Sequence, residues 1–181
     1  LIVTMLQISG QLTVFVYLAP LLRRLIGADN LTVEGFFALF GVAALVGNIV
    51  ATAAVTALGT EVTLALFLAA TTLGLAMWTL GAALFAAAAV AIFFWGLGFA
   101  AVNSMQQARL AETAPDLASA SIALNTSLVY VGQAVGSGIG GVLFARGAFT
   151  AMGTVGIAFM IAACGLAAVT WQRRRVVTAA P

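Results

Sequence analysis

Read only as apolar or polar, the chain is a series of long apolar runs separated by short charged or polar breaks. An α-helix rises 1.5 Å per residue, so about 20 apolar residues cross the roughly 30 Å hydrocarbon layer of a bilayer. Leu1 to Leu22 is one such run, and the stretch between Glu34 and Glu61 holds a second. The stretch between Glu61 and Arg109 is about twice what one span needs, so it must fold back on itself near Leu80-Gly81-Ala82. Two further runs lie between Asp116 and Arg146 and between Arg146 and Arg173. The pattern predicts six helices over about residues 1–22, 33–57, 62–80, 83–107, 117–144 and 149–171, with 172–181 as a tail. No period-2 alternation interrupts the runs, which excludes a transmembrane β-barrel. The breaks are short, so the expected fold class is all-α: a single polytopic six-helix membrane bundle.

Composition narrows the chemistry. Of 181 residues, 64% are hydrophobic and 7% charged, against about 25% charged in soluble domains. So few charges cannot clothe a water-facing surface. There is no histidine, and the single cysteine, Cys164, cannot form an intrachain disulfide. The usual zinc, haem and iron–sulfur ligand sets are absent, as is a Ser-His-Asp triad. No metal, cofactor or enzyme activity is expected, since no serine–base or carboxylate pair falls within the spans. A net charge of +2, scattered along the chain, does not suggest nucleic acid. The expected partners are the lipid bilayer and a small-molecule substrate. The chain opens on an apolar segment, without a basic leader or a small-residue cleavage site. Its first helix reads as entered near its start, as if something upstream were missing.

Six spans put both ends on one side. "WQRRR" (Trp171 to Arg175) sets an aromatic beside three arginines, an interfacial anchor and a cytoplasmic signal, and Arg109 falls on that side. Arg23, Arg24 and Arg146 fall on the other. The balance places both termini in the cytoplasm.

Glu34, Glu61, Arg109, Glu112 and Asp116 sit at helix ends or in connecting loops and read as solvated charges. No proton carrier is then expected inside the spans. The uncharged polar residues say more. Thr4, Gln7 and Gln11 share one face of the first helix. Asn103, Ser104, Gln106 and Gln107 fall in the fourth, and Ser121, Asn125, Tyr130 and Gln133 in the fifth. Amides in lipid are costly unless paired, so they should face the bundle or a wet cavity. They make either a polar substrate path or helix–helix hydrogen bonds worth about 0.6 kcal/mol per pair. Asn125, close to the entrance of its span, fits the second better. In "VYLAPLLRR", Pro20 follows Tyr17 by three residues and either ends the first helix or kinks it.

"YVGQAVGSGIGG" (Tyr130 to Gly141) holds five glycines in twelve residues. Gly132, Gly136 and Gly140, four apart, form one smooth stripe, which Ser137 and Gly141 widen. Ala43, Gly47 and Ala51 form a lesser stripe in the second helix. Small-xxx-small stripes let helix backbones approach closely in lipid.

Together these segments resemble the carboxy-terminal half of a major facilitator superfamily transporter, in the drug- and sugar-efflux branch similar to arabinose-efflux permeases. "FVYLAPLL" (Phe15 to Leu22) resembles the end of that family's seventh helix and "GVAALVGN" (Gly41 to Asn48) its eighth. "NSMQQARLAETAPDLASASIALNTSLVYVGQAVGSGIGG" (Asn103 to Gly141) resembles the tenth helix, a loop and the eleventh. The resemblance implies half of a twelve-helix fold in a bacterial cytoplasmic membrane, with both ends cytoplasmic and alternating access about a midplane site. It implies that the first and fourth helices here line the cavity, through Gln7, Gln11, Tyr17, Asn103 and Gln106. The stripes can serve contact within this six-helix bundle, but the resemblance implies that part of the Gly132/Gly136/Gly140 stripe faces a missing amino-terminal half, and that the Ala43/Gly47/Ala51 stripe does the same. A homodimer partner is the fallback. The loop after the second helix departs from the family's charged signature: "GNIVATAAVTALGTEVTL" (Gly47 to Leu64) has Thr56 and Ala57 where an Asp-Arg pair would stand. The implied function is secondary active, proton-coupled efflux (antiport) of a small organic solute, with the coupling carboxylates in the missing half. The alternative is a non-transporting membrane subunit or degenerate transporter fragment that assembles with a partner half.

Overall fold

The computed structural model describes the backbone of residues 1–113 and 115–179 and the side chains up to Gln172. The chain is an all-α polytopic membrane bundle. Its helices are α1 (Ile2–Phe15), α2 (Leu18–Ile26), α3 (Asn30–Leu58), α4 (Thr60–Gly81), α5 (Phe85–Thr113), α6 (Ala118–Ala145) and α7 (Phe149–Ala179), with a 3₁₀ turn at Pro115–Leu117 before α6. Among the described residues five helices are long and apolar enough to span a membrane, and α1 with α2, bent by 46° and counted as one span, makes a sixth.

The bend has a local cause. Pro20 has no N–H to give to the Val16 carbonyl one turn back, and the chain closes a tighter turn there, with Tyr17 N–H donating to the Val14 carbonyl at 3.0 Å. Helix resumes at Leu18 and runs past Pro20 to Ile26. The proline therefore kinks the first span and does not end it at Leu22. The next connection is tight. Gly27 takes the left-handed conformation that closes α2, and the Asp29 side chain accepts from the Thr32 N–H at 2.9 Å to cap α3.

The fifth and seventh helices are longer than their apolar runs. Expected to end near 107, α5 continues to Thr113, so Arg109 and Glu112 are helical and not in a loop. Likewise α7 continues through Ala179, so helix occupies most of the expected tail. The side chains of Arg173–Arg175, the basic part of the expected interfacial anchor, lie outside the described ones.

The helices form two triplets, α1/α2–α3–α4 and α5–α6–α7, that exchange their first members. The main neighbours of α1 are α6, parallel to it, and α7, antiparallel. Those of α5 are α3, parallel, and α4, antiparallel. The third helices, α4 and α7, meet along one side, while α3 and α6 are the least buried spans.

Glycine makes these crossings close. Gly132, Gly136 and Gly140 lie on the α1 backbone. A Cβ at Gly132 would stand 2.7 Å from the Met5 carbonyl oxygen, and one at Gly136 or Gly140 would run into the carbonyls of Ser9 or Thr13. Gly10 and Gly156 meet reciprocally where α1 crosses α7. Ala43, Gly47 and Ala51 are buried, and Gly47 lies on the Leu97 backbone of α5. Both stripes are thus covered from within the chain, which corrects the expectation that they face an absent half. Sequence spacing shows that a helix face is smooth, not which helix lies on it.

Candidate functional site

The polar residues of α1 project into the bundle along the side that meets α5 and α6. Trp95 of α5 donates its indole N–H to Gln11 Oε1 at 2.8 Å, and Gln11 Nε2 donates to Gln7 Oε1. An indole nitrogen can only donate, so Trp95 fixes the polarity of both amides. The chain of donors ends at Gln7 Nε2, which is buried without a partner among the described residues. One turn earlier Thr4 donates to Asn125 Oδ1 of α6 at 2.6 Å, leaving Asn125 Nδ2 buried and unpartnered as well. Thr4, Gln7, Gln11 and Asn125 are all 0% exposed. Nine residues into its helix, Gln11 lies about 14 Å from the helix start, near the middle of the hydrocarbon layer.

Above this ladder five aromatic rings from α1, α3 and α5 close together. Phe15 is central, with ring centroids 4.6 Å from Phe40 and 5.8 Å from each of Phe37, Trp95 and Phe99. Below it, where α1 begins and α5 and α7 end, lies an ion pair. Arg109 Nε donates to Glu61 Oε1 of α4 at 2.8 Å, and its Nη2 donates to Thr170 of α7 at 2.6 Å. Thr60 donates to Glu112 at 2.5 Å. Arg109 is only 6% exposed. The reading of these charges as solvated loop residues is corrected: they tie α4, α5 and α7 together. A long arginine can stay paired inside the bundle at the end of a span, where hydrocarbon gives way to water. Beside the pair a cavity of about 470 Å³ is lined by Ile2, Gln106, Arg109, Leu110, Leu166 and Thr170, among others. Gln106 Nε2 is buried there without a partner.

The sequence-derived cavity residues separate accordingly. In a closed interior Gln11 accepts across helices from Trp95, while Gln7 accepts only from Gln11 of its own helix. Tyr17 lies over Gly140 and Gly141 of α6, donates to the Ser137 carbonyl at 3.0 Å and stacks on Phe144 at 5.1 Å. It therefore anchors the bend. Gln106 faces the cavity beside Arg109. Asn103 keeps open surface together with a buried, unpartnered Oδ1. Sequence reasoning missed Trp95, Thr170 and the Glu61–Arg109 pair. A tryptophan in mid-span needs an acceptor for its N–H, and that signal points to the glutamines of another helix. Among the described residues no group of three or more metal-ligating side chains occurs.

No family model matches the chain. It is similar to a protein of Bacillus subtilis (strain 168) described as an uncharacterized MFS-type transporter, YbcL, with 25% identity over 164 residues. The similarity covers 89% of this chain and 42% of that protein. The chain thus spans about two fifths of the length of the curated relative it matches.

Proposed function

We propose that the chain is one six-helix half of a secondary active transporter, the carboxy-terminal half in the drug- and sugar-efflux branch. The helix arrangement carries this reading: two triplets of opposite orientation exchange their first helices, the plan of the three-plus-three inverted repeats in each half of a major facilitator transporter. The similarity to a transporter more than twice as long supports it. So does α6, where Thr126, Tyr130 and Gln133 form an exposed polar stripe that lipid would not solvate. That stripe and the outer face of α3 would meet the partner half, and Asn103 would reach the cavity between them. The solute is a small organic molecule moved outward against protons through a bacterial cytoplasmic membrane, both termini being cytoplasmic. Transport, not catalysis, is the activity.

The test is reconstitution in vesicles with a trapped pH dye. The chain alone is expected to move neither solute nor protons above empty vesicles, and the chain joined to a six-helix segment encoded upstream is expected to move both. Flux through the chain alone overturns the half reading. A joined chain that moves neither overturns transport.

A second reading, a non-transporting subunit, is favoured by the closed, internally bonded Gln7 and Gln11. Cysteines placed at positions 11 and 103 in a Cys164→Ser background separate the two. Labelling at 103 by a water-soluble thiol reagent supports transport, and protection of both positions supports the subunit.

A further inference from the structure

The third helices of the triplets, α4 and α7, cross tightly at one end and part toward the other. At the crossing Gly153 leaves no room for a Cβ beside Thr79. Two to three turns along, Thr72 Oγ1 and Cys164 Sγ are 3.7 Å apart. From there to the ion-pair end the helices enclose a groove of about 210 Å³. Leu64 and Leu68 form its floor, Ala65, Ala69, Ala167 and Ala168 its walls, Cys164 its inner end, and Glu61 and Trp171 its mouth.

The groove lies within two membrane spans, so what surrounds it is acyl chains. Inside the mouth nothing would hold water: the Thr72 hydroxyl already donates to its own backbone at Leu68, and beyond Glu61 the lining residues are apolar apart from the weakly polar Cys164 thiol. An empty groove would forfeit dispersion contacts along both walls, and packing is what drives association in lipid. The mouth sits at the level of the Glu61–Arg109 pair, with Trp171 beside it, the position an interfacial tryptophan takes at the headgroups. Beyond Trp171 the sequence carries three successive arginines, Arg173, Arg174 and Arg175, and a basic run flanking a span is a sequence feature that favours anionic headgroups. We infer that this groove is a binding site for one acyl chain of an anionic phospholipid, entering at Trp171 and ending at Cys164.

The test uses the full chain in detergent, titrated with phosphatidylglycerol carrying brominated acyl chains, which quench tryptophan. The Trp171 signal is isolated by difference from Trp171→Phe. Quenching is expected to saturate near one lipid per protein and to be weaker with brominated phosphatidylcholine. Ala69→Phe fills the groove and is expected to abolish the saturable part, and Ala168→Leu does the same where Ala69→Phe fails to fold. Quenching that rises in proportion to lipid without saturating overturns the site, as does saturation unchanged by the filling variants. Equal quenching by the two headgroups overturns the anionic preference. As an independent readout, bound lipid should slow alkylation of Cys164 by an apolar maleimide severalfold, and an unchanged rate counts against the site.

Discussion

At the residue scale, stability is concentrated where a polar group has been taken out of both water and lipid. Gln11 is the clearest case, because it accepts from Trp95 and donates to Gln7 at once. Gln11→Leu leaves a buried indole N–H and the Gln7 carbonyl unpaired, a loss of about 1–3 kcal/mol. A double-mutant cycle with Trp95→Phe should show coupling in thermal unfolding, and additive losses would mean the ladder contributes nothing as a unit. Arg109 is the charged counterpart. Arg109→Met takes the guanidinium away from Glu61, which is partly exposed, so the cost should fall at or below the lower end of about 3–5 kcal/mol. Glu61→Gln in the same chain should recover part of it. Asp29, outside the spans, gives the pH dependence. Hydrogen bonding from Thr32, side chain first and then backbone, holds its carboxyl below the ordinary value. A depressed carboxyl stabilises above its unfolded value, near about 3.9, and loses that contribution as pH falls through the lower folded value. The Thr32 amide in wild type should therefore lose protection from hydrogen exchange only under acid, below about pH 4. Asp29→Asn should keep protection there, and equal acid sensitivity in the two would sink the assignment.

At the element scale, the six spans were legible because a membrane helix must be a long apolar run, and twelve charges marked where each ended. The 46° bend was not placed, since Val14, Val16 and Leu18 are as apolar as their neighbours. Only Pro20 hinted at it, and the ring of Tyr17 filling space left by Gly140 and Gly141 is a contact between helices far apart in sequence. Arg109 was misread for a related reason: an apolar run ends where hydrocarbon does, whereas the helix continues for another turn and folds its charge back inward. Of the site, the glutamines were legible as residues needing partners, but Trp95 as their partner was not. The glycine stripe gives this scale its prediction. With α1 lying on Gly136, Gly136→Leu should push two parallel helices apart and destabilise this chain by itself. The cost should be no less than the roughly 1–3 kcal/mol of ordinary overpacking, since the clash is with backbone. Unfolding of the purified chain in detergent measures it, and an unchanged midpoint would return the stripe to some outside partner.

At the scale of the whole molecule, the exchange of first helices decides what can fold alone. The first triplet without the second has no α6 or α7 to cover the Thr4, Gln7 and Gln11 face of its own first helix. The second triplet alone has no α3 or α4 around α5, and Trp95 loses Gln11. Each would leave several buried amides and backbone-to-glycine contacts facing lipid, where unpaired polar groups are costly. The chain should therefore behave as one cooperative unit although it is built as two repeats. Cutting it between Gly81 and Phe85, in the short turn joining α4 and α5, tests this directly. Expressed separately, each triplet should be degraded or aggregate. Co-expressed, the two should co-purify and melt as one, because the contacts that matter cross between them. A triplet that folds alone, with a sharp thermal transition and Trp95 shielded from aqueous quenchers, would show that the repeats are independent domains and that α1 and α5 find their stability within their own triplets.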